Sequence, residues 1–160
     1  MDRIYKIKFD VTDEELDDLF MYFSDEDLDD VEELEAEAYF YFHEEGNYVC
    51  YLITTEVEMR TYVGVMDKNK INIYVKDFSD RILNSTVNLE DNLRHNIDKE
   101  NCEDFEDFII CLNEWVLGKL DIDFVLDRIS SVGIDNLTEN EKYFLKLKQT
   151  NKKKNYKQSN

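Results

Sequence analysis

The stretch AYFYFHEEGNYVCYLITTE, residues 38–56, decides the fold class. Aromatic and β-branched residues fill both of its halves, a content that favours strand over helix. Between the halves, Glu44-Glu45-Gly46-Asn47 supplies the residues that hairpin turns use. Working outward, residues 59–67 (MRTYVGVMD) and 70–77 (KINIYVKD) read as two more strands joined at Asp67-Lys68-Asn69-Lys70. Upstream, Tyr5, Ile7, Phe9 and Val11 alternate with Lys6 and Lys8, so residues 4–11 read as a strand as well. The close spacings imply an antiparallel meander of about five strands, with the first added at one edge.

Helical patterns flank this block. Thr12 and Glu15 form a capping-box signature ahead of Leu16, Leu19, Phe20 and Phe23, which are spaced as one buried stripe. Ser24 is placed to cap a second run, residues 24–38, with a thinner stripe of Leu28, Val31 and Leu34. Further on, residues 104–120 carry Phe105, Phe108, Ile109, Leu112, Trp115 and Val116 on one helical face. The expected architecture is therefore α+β: an antiparallel sheet packed with helices, followed by a C-terminal helical hairpin. The expected division is residues 1–120 as an acidic α+β domain, 121–149 as the hairpin and 150–160 as a basic, disordered tail.

With 160 residues, 42% hydrophobic and 13% aromatic, the chain holds enough apolar material for one ordinary core. No run of about eighteen apolar residues is present, and MDRIYKIKFD lacks the apolar block of a signal peptide. The expected location is the cytoplasm, without membrane attachment. Cys50, Cys102 and Cys111 form no C-x-x-C pair and read as reduced thiols. Proline is absent, which removes any Pro-rich linker or ligand.

Net charge is −19, unevenly spread. Residues 1–45 hold eighteen Asp/Glu against three Lys/Arg, a net of −15, whereas residues 142–160 hold seven lysines and no acid. An acidic body of this kind repels nucleic acid and anionic lipid and attracts basic partners.

Strand alternation gives an expected assignment of faces. Phe40, Phe42, Met59, Val63, Ile73 and Val75 suit a face beneath helices. Tyr39, Tyr41, Tyr62, Tyr74 and Lys76, with Lys6, Lys8 and Arg60, suit the opposite one. Left uncovered, that second face is a tyrosine-and-lysine surface on an otherwise acidic protein; the plain structural reading packs the rings under a helix with their hydroxyls wet.

The C-terminal segment, residues 121–148, has a pattern of its own. Ile122, Val125, Leu126 and Ile129 form one stripe, Gly133 stands where a left-handed C-cap belongs, and Thr138 with Glu141 forms another capping box opening a helix with Phe144 and Leu145. It lacks the basic recognition helix that DNA reading requires. The segment resembles a short motif, I-L-D-K-I-x-x-x-G-I-x-S-L-T-x-x-E-x-x-F-L, found at the C-termini of bacterial rhomboid-like membrane proteins and assorted other bacterial proteins. The residues that carry the resemblance run from Val125 to Ile129 and continue through Gly133, Ile134, Asp135, Leu137, Thr138, Glu141, Phe144 and Leu145, with Asn136 in place of the serine. The resemblance covers under a fifth of the chain and implies a capped helical hairpin without assigned chemistry. No membrane segment accompanies it here.

Catalytic and metal motifs are not evident. An EF-hand template begun at Asp25 meets Asp30 where glycine is required and Ala36 where the bidentate glutamate belongs. His43 and His95 are too far apart in sequence for a zinc pattern, and the four glycines form neither a P-loop nor a dinucleotide fingerprint. No cofactor is expected.

The leading expectation is an acidic interaction or inhibitor protein that occupies a basic surface, as a nucleic-acid mimic would, through Asp17, Asp18, Asp29, Asp30, Glu32 and Glu33. Its partner would be a basic protein of the nucleic-acid-binding kind, and direct nucleic-acid binding is disfavoured by the charge. The alternative is a module that binds a ligand or nucleic acid on the Tyr39, Tyr41, Tyr62, Tyr74 and Lys76 face. A small enzyme is the third class, and the residues name no reaction for it.

Overall fold

The computed structural model describes residues 1–12, 15, 18, 21–35, 38–44, 46–84, 89–95 and 102–158. Four strands form one antiparallel sheet: β1 (Asp2–Phe9), β2 (Tyr39–Glu44), β3 (Asn47–Thr55) and β4 (Ile73–Asp77), in the order β2-β3-β1-β4. Seven α-helices accompany it among the described residues: α1 (Asp25–Glu35), α2 (Glu56–Lys68), α3 (Ser79–Leu83), α4 (Leu89–Arg94), α5 (Cys102–Lys119), α6 (Ile122–Val132) and α7 (Glu139–Gln158). None is long and apolar enough to cross a membrane. The chain divides into two compact units, Met1–Ile110 and Cys111–Asn160, with the division falling inside α5.

In the first unit the alternation of β1 and the β2–β3 hairpin form as read, with Gly46 at φ 79° supplying the left-handed residue of the turn. The expected strand at residues 59–67 does not form, because α2 occupies that stretch. The deciding signal is Thr55-Glu56-Val57-Glu58, a capping box in which the Thr55 hydroxyl accepts from the Glu58 amide (3.2 Å) and the Glu58 carboxylate accepts from the Thr55 amide (2.9 Å). Met59, Tyr62, Val65 and Met66 then fall on one buried stripe. The β-branched Thr61, Val63 and Val65 argued for strand, and tertiary packing overrode that preference. The helix stops in a Schellman turn: the Ile71 amide reaches the Met66 carbonyl (2.9 Å), the Lys70 amide reaches Asp67 (3.0 Å), and Lys70 takes φ 61°.

Converting one expected strand to helix changes the topology. Four strands replace about five, and β1 lies inside the sheet between β3 and β4 rather than at an edge. Since β1 is antiparallel to both neighbours, β3 and β4 run parallel with β1 between them. The links β1-α1-β2 and β3-α2-β4 are thus two interleaved split βαβ units, the connectivity of ferredoxin-like sheets.

Register fixes the faces, because directly paired residues project to the same side. Tyr5, Ile7 and Phe9 share a face with Cys50, Leu52, Tyr39, Tyr41, Ile73 and Val75. This face packs beneath α1 and α2 through Val31, Leu34, Met59, Tyr62 and Met66. The other face carries Ile4, Lys6, Lys8, Phe40, Phe42, Tyr51, Tyr74 and Lys76. Phe40 there meets Phe105 and Phe108, with ring centroids 5.4 and 6.0 Å away. The sheet is therefore covered from both sides.

The second unit builds a helix–turn–helix. The Asp121 carboxylate accepts from the Phe124 amide (2.7 Å) to start α6, and Gly133 at φ 83° ends it. A 3₁₀ turn at Ile134–Asn136 leads to Thr138, whose hydroxyl accepts from the Glu141 amide (3.2 Å). Glu141, 2% exposed, spends one oxygen on the Thr138 amide (2.7 Å) and the other on Arg128 Nε (3.1 Å), which ties the two helices together. Ile122 and Leu126, expected in the buried stripe, stand exposed, while Val125 is fully buried. The expected short final helix is longer: α7 continues through the basic run to Gln158.

Candidate functional site

Two features of the first unit have the make-up of a binding surface. One is the outer side of α1. Ser24 caps this helix through the Asp27 amide (3.2 Å), and Leu28, Val31 and Leu34 turn toward the core. Helical periodicity then sends Asp25, Glu26, Asp29 and Glu32 to solvent, and no cation lies anywhere on α1. Asp27 is the exception, turned inward and 5% exposed, accepting from Lys68 Nζ (2.8 Å) and Asn69 Nδ2 (3.2 Å). The Lys68 ammonium, with Asn69 beside it, holds the Asp27 carboxyl below its ordinary range.

Of the acids expected to bind a partner, Asp29 and Glu32 are exposed and Asp30 is half-buried on α1, and Asp18 is exposed on its own segment. Asp17 and the side chain of Glu33 lie outside the described residues. The expected tyrosine-and-lysine face does not assemble. Tyr39 and Tyr41 lie on the side under α1 and α2, whereas Tyr74 and Lys76 lie on the other. Tyr62 is on neither, being 1% exposed on α2. Strand side chains have period two, so a face carried from one strand to the next in the wrong phase inverts every residue on it.

The second feature is a cavity of about 390 Å³ on the Phe40 side of the sheet. Phe42, Tyr51 and Phe78 give it an aromatic lining, with Leu93 beside them. Its polar groups are Lys6 and Glu44 from the sheet, Arg81 from α3 and Asn92 from α4. Lys6 Nζ is 2.5 Å from Glu44 Oε2 and stands 5.8 Å from the Tyr51 ring centre and 6.0 Å from that of Phe78. The Phe78 ring also receives Lys76 Nζ at 5.5 Å and the Arg81 guanidinium at 5.4 Å. Burial, reinforced by the Glu44 carboxylate, pushes the Tyr51 phenol well above its ordinary range, so its hydroxyl remains a proton donor throughout neutral pH.

This cavity was missed in the sequence because its residues come from five separate elements, brought together by strand register and by the chain's return over the sheet. The one local sign was the alternation that sends Lys6 to the side opposite Tyr5 and Ile7. Among the described residues no group of three His, Cys, Asp or Glu side chains converges as metal ligands would. No family model matches the chain, and no curated protein or solved structure matches it.

Proposed function

We propose that this chain is an acidic interaction protein of the cytoplasm, acting without catalysis, which presents the outer side of α1 to a basic surface on a protein partner. The observation that carries the reading is the sorting of carboxylates on α1. Among the described side chains of α1, the buried acid, Asp27, is matched by Lys68 and Asn69, while Asp25, Glu26, Asp29 and Glu32 face solvent with no cation on their helix. Side chains three and four residues apart on a helix stand roughly 5–6 Å apart. A row of anions at that interval suits a site built for the phosphates of a nucleic acid. A nucleic-acid-binding protein inhibited by occupation of that site is the partner class that fits.

The test is affinity capture from the native cell over a salt series, comparing the intact chain with a variant carrying Asp18→Asn, Asp29→Asn, Asp30→Asn and Glu32→Gln. The expected result is a basic partner held by the intact chain, released steeply as salt rises and lost by the variant. A partner captured equally by both would end this reading and leave the acids as solubilising charge.

A further inference from the structure

We infer that the outer edge of β4 takes up an extended segment of a partner chain as a fifth strand, a segment in which apolar residues alternate with acids. The inference rests on the sheet and stands apart from the acidic side of α1.

Backbone geometry supplies the first argument. The order β2-β3-β1-β4 leaves β4 paired with β1 alone among the described residues. At the two ends of their ladder the Asp10 amide donates to the Asn72 carbonyl (3.0 Å) and the Phe78 amide donates to the Ile4 carbonyl (2.8 Å). These pairs are in phase with Lys8–Tyr74 and Lys6–Lys76, so Tyr74 and Lys76 turn their N–H and C=O groups toward β1. Ile73 and Val75 turn theirs the other way, out from the sheet. Donors and acceptors alternating along an outer edge are what an added strand uses.

Side chains supply the second argument and select the occupant. Ile73 and Val75 are half-buried and packed against the core beneath α1 and α2, so that core reaches the outer edge and would continue under apolar residues of an added strand. On the Phe40 face the edge shows Tyr74, 69% exposed, and Lys76, whose ammonium rests 5.5 Å from the Phe78 ring centre. Residues directly opposite in a ladder have Cβ atoms roughly 4.5–5.5 Å apart. An acid opposite Lys76 therefore pairs with its ammonium, and one opposite Tyr74 faces a phenol with Lys76 on the diagonal. Asp77, at the end of the edge, is already engaged by Arg3 (2.5 Å) and by the Ser79 amide (2.9 Å). At the other end a hollow of about 280 Å³, lined by Lys8, Phe9, Asp10, Asn72, Ile73 and Tyr74, has room for a terminal side chain of the docked segment. Charge effects fade beyond about 8 Å at physiological ionic strength, so Lys76 governs this contact rather than the net charge of −19. A second copy of the chain brings the same lysine to the edge, and edge lysines discourage pairing of like chains. A segment of opposite charge meets no such guard.

The test uses the full-length chain, amide hydrogen exchange followed by NMR, and two blocked peptides of strand length, one alternating valine with glutamate and the other valine with lysine. In the free chain the ladder amides of Tyr74 and Lys76 should exchange slowly, and those of Ile73 and Val75 quickly. At about ten times its Kd the valine–glutamate peptide should slow Ile73 and Val75 about tenfold. The valine–lysine peptide should bind roughly fivefold more weakly, the size of a cross-strand charge pair, and Lys76→Glu should reverse that order. Val75→Pro removes an outward donor at an edge position where proline is tolerated. It should lose binding, while continued protection of the Lys76 amide shows that the sheet persists. Ile73 and Val75 left unprotected by both peptides, or protected equally by both, would overturn the inference and leave Lys76 as a guard of the edge. Protection that grows with concentration of the chain alone would assign the edge to a second copy and overturn it likewise. Neutralising Asp29 and Glu32 should leave peptide binding unaltered, which keeps failure of the partner reading distinct from failure of this one.

Discussion

The two faces of the sheet are made from alternate residues of the same strands, yet they end in opposite chemical states. Beneath α1 and α2 the surface is apolar and closed, and among the described residues its buried carboxylate, Asp27, is matched at the rim. The Phe40 face has an aromatic floor, clustered cations and an open cavity. The difference lies in the covers. Helices α1 and α2 have 11 and 13 residues and carry continuous apolar stripes. On the Phe40 face the start of α5 meets Phe40 through Phe105 and Phe108, and the cavity side is left to α3 and α4, of 5 and 6 residues, under about 10 Å each at 1.5 Å per residue, against a sheet roughly 15 Å across. Short helices leave part of a face unfilled. A closed face serves stability, while a part-covered one leaves room for a ligand.

Truncation is the harshest way to break this contrast. Leu52→Ala, fully buried on the closed face, should cost about 3–5 kcal/mol in urea denaturation, since a cavity opens in dense packing. Leu93→Ala, 2% exposed but beside the existing cavity, should cost nearer 2 kcal/mol, because little new void is created. Equal losses would mean that the cavity is closed in solution. Both changes remove the same atoms, so the contrast isolates the surroundings.

A smaller effect separates the faces by pH. Asp27 has its folded-state pKa lowered, chiefly by Lys68, so it adds stability that is complete above the ordinary Asp value, about 4. That contribution fades as pH falls through the lower folded value. Denaturation of the intact chain and Asp27→Asn should therefore differ by a constant amount above about pH 5 and converge in stronger acid. A gap that persists unchanged to low pH would show that Asp27 acts through shape rather than charge.

The smallest effect should appear on the cavity face, with reversed sign. Lys76→Glu replaces a like-charged cross-strand pair with an opposite one and should stabilise the unliganded chain by about 0.2–1 kcal/mol. A variant that is less stable than the intact chain would show that repulsion between Lys6 and Lys76 is not felt in the folded sheet.

Much of this architecture was legible because it is local. Alternation in β1, the turn residues at Glu44–Asn47 and the capping signatures at Thr12, Ser24 and Thr138 each concern neighbours within four positions, and each has its hydrogen bonds or ladder in place. Thr55-x-x-Glu58 carried the same kind of signal, outweighed in the reading by β-branched residues on a helix whose stripe is Met59, Tyr62 and Met66. The acids of α1 were legible as charge, but Asp27 did not stand apart from Asp29 until Lys68 and Asn69 came up beside it.

What the sequence determined by itself was the class: strands with helices, an acidic N-terminal part and a capped helical pair at the end. Tertiary structure alone decided the strand order, the position of β1 inside the sheet and the phase between one strand's faces and the next. Those depend on pairing between residues as far apart as Lys6 and Lys76, and a side-chain period of two makes them reverse with a single step of register. Tyr74 and Lys76 thereby part from Tyr39 and Tyr41, and Lys6 comes to stand beside Tyr51, Phe78 and Glu44 in the cavity.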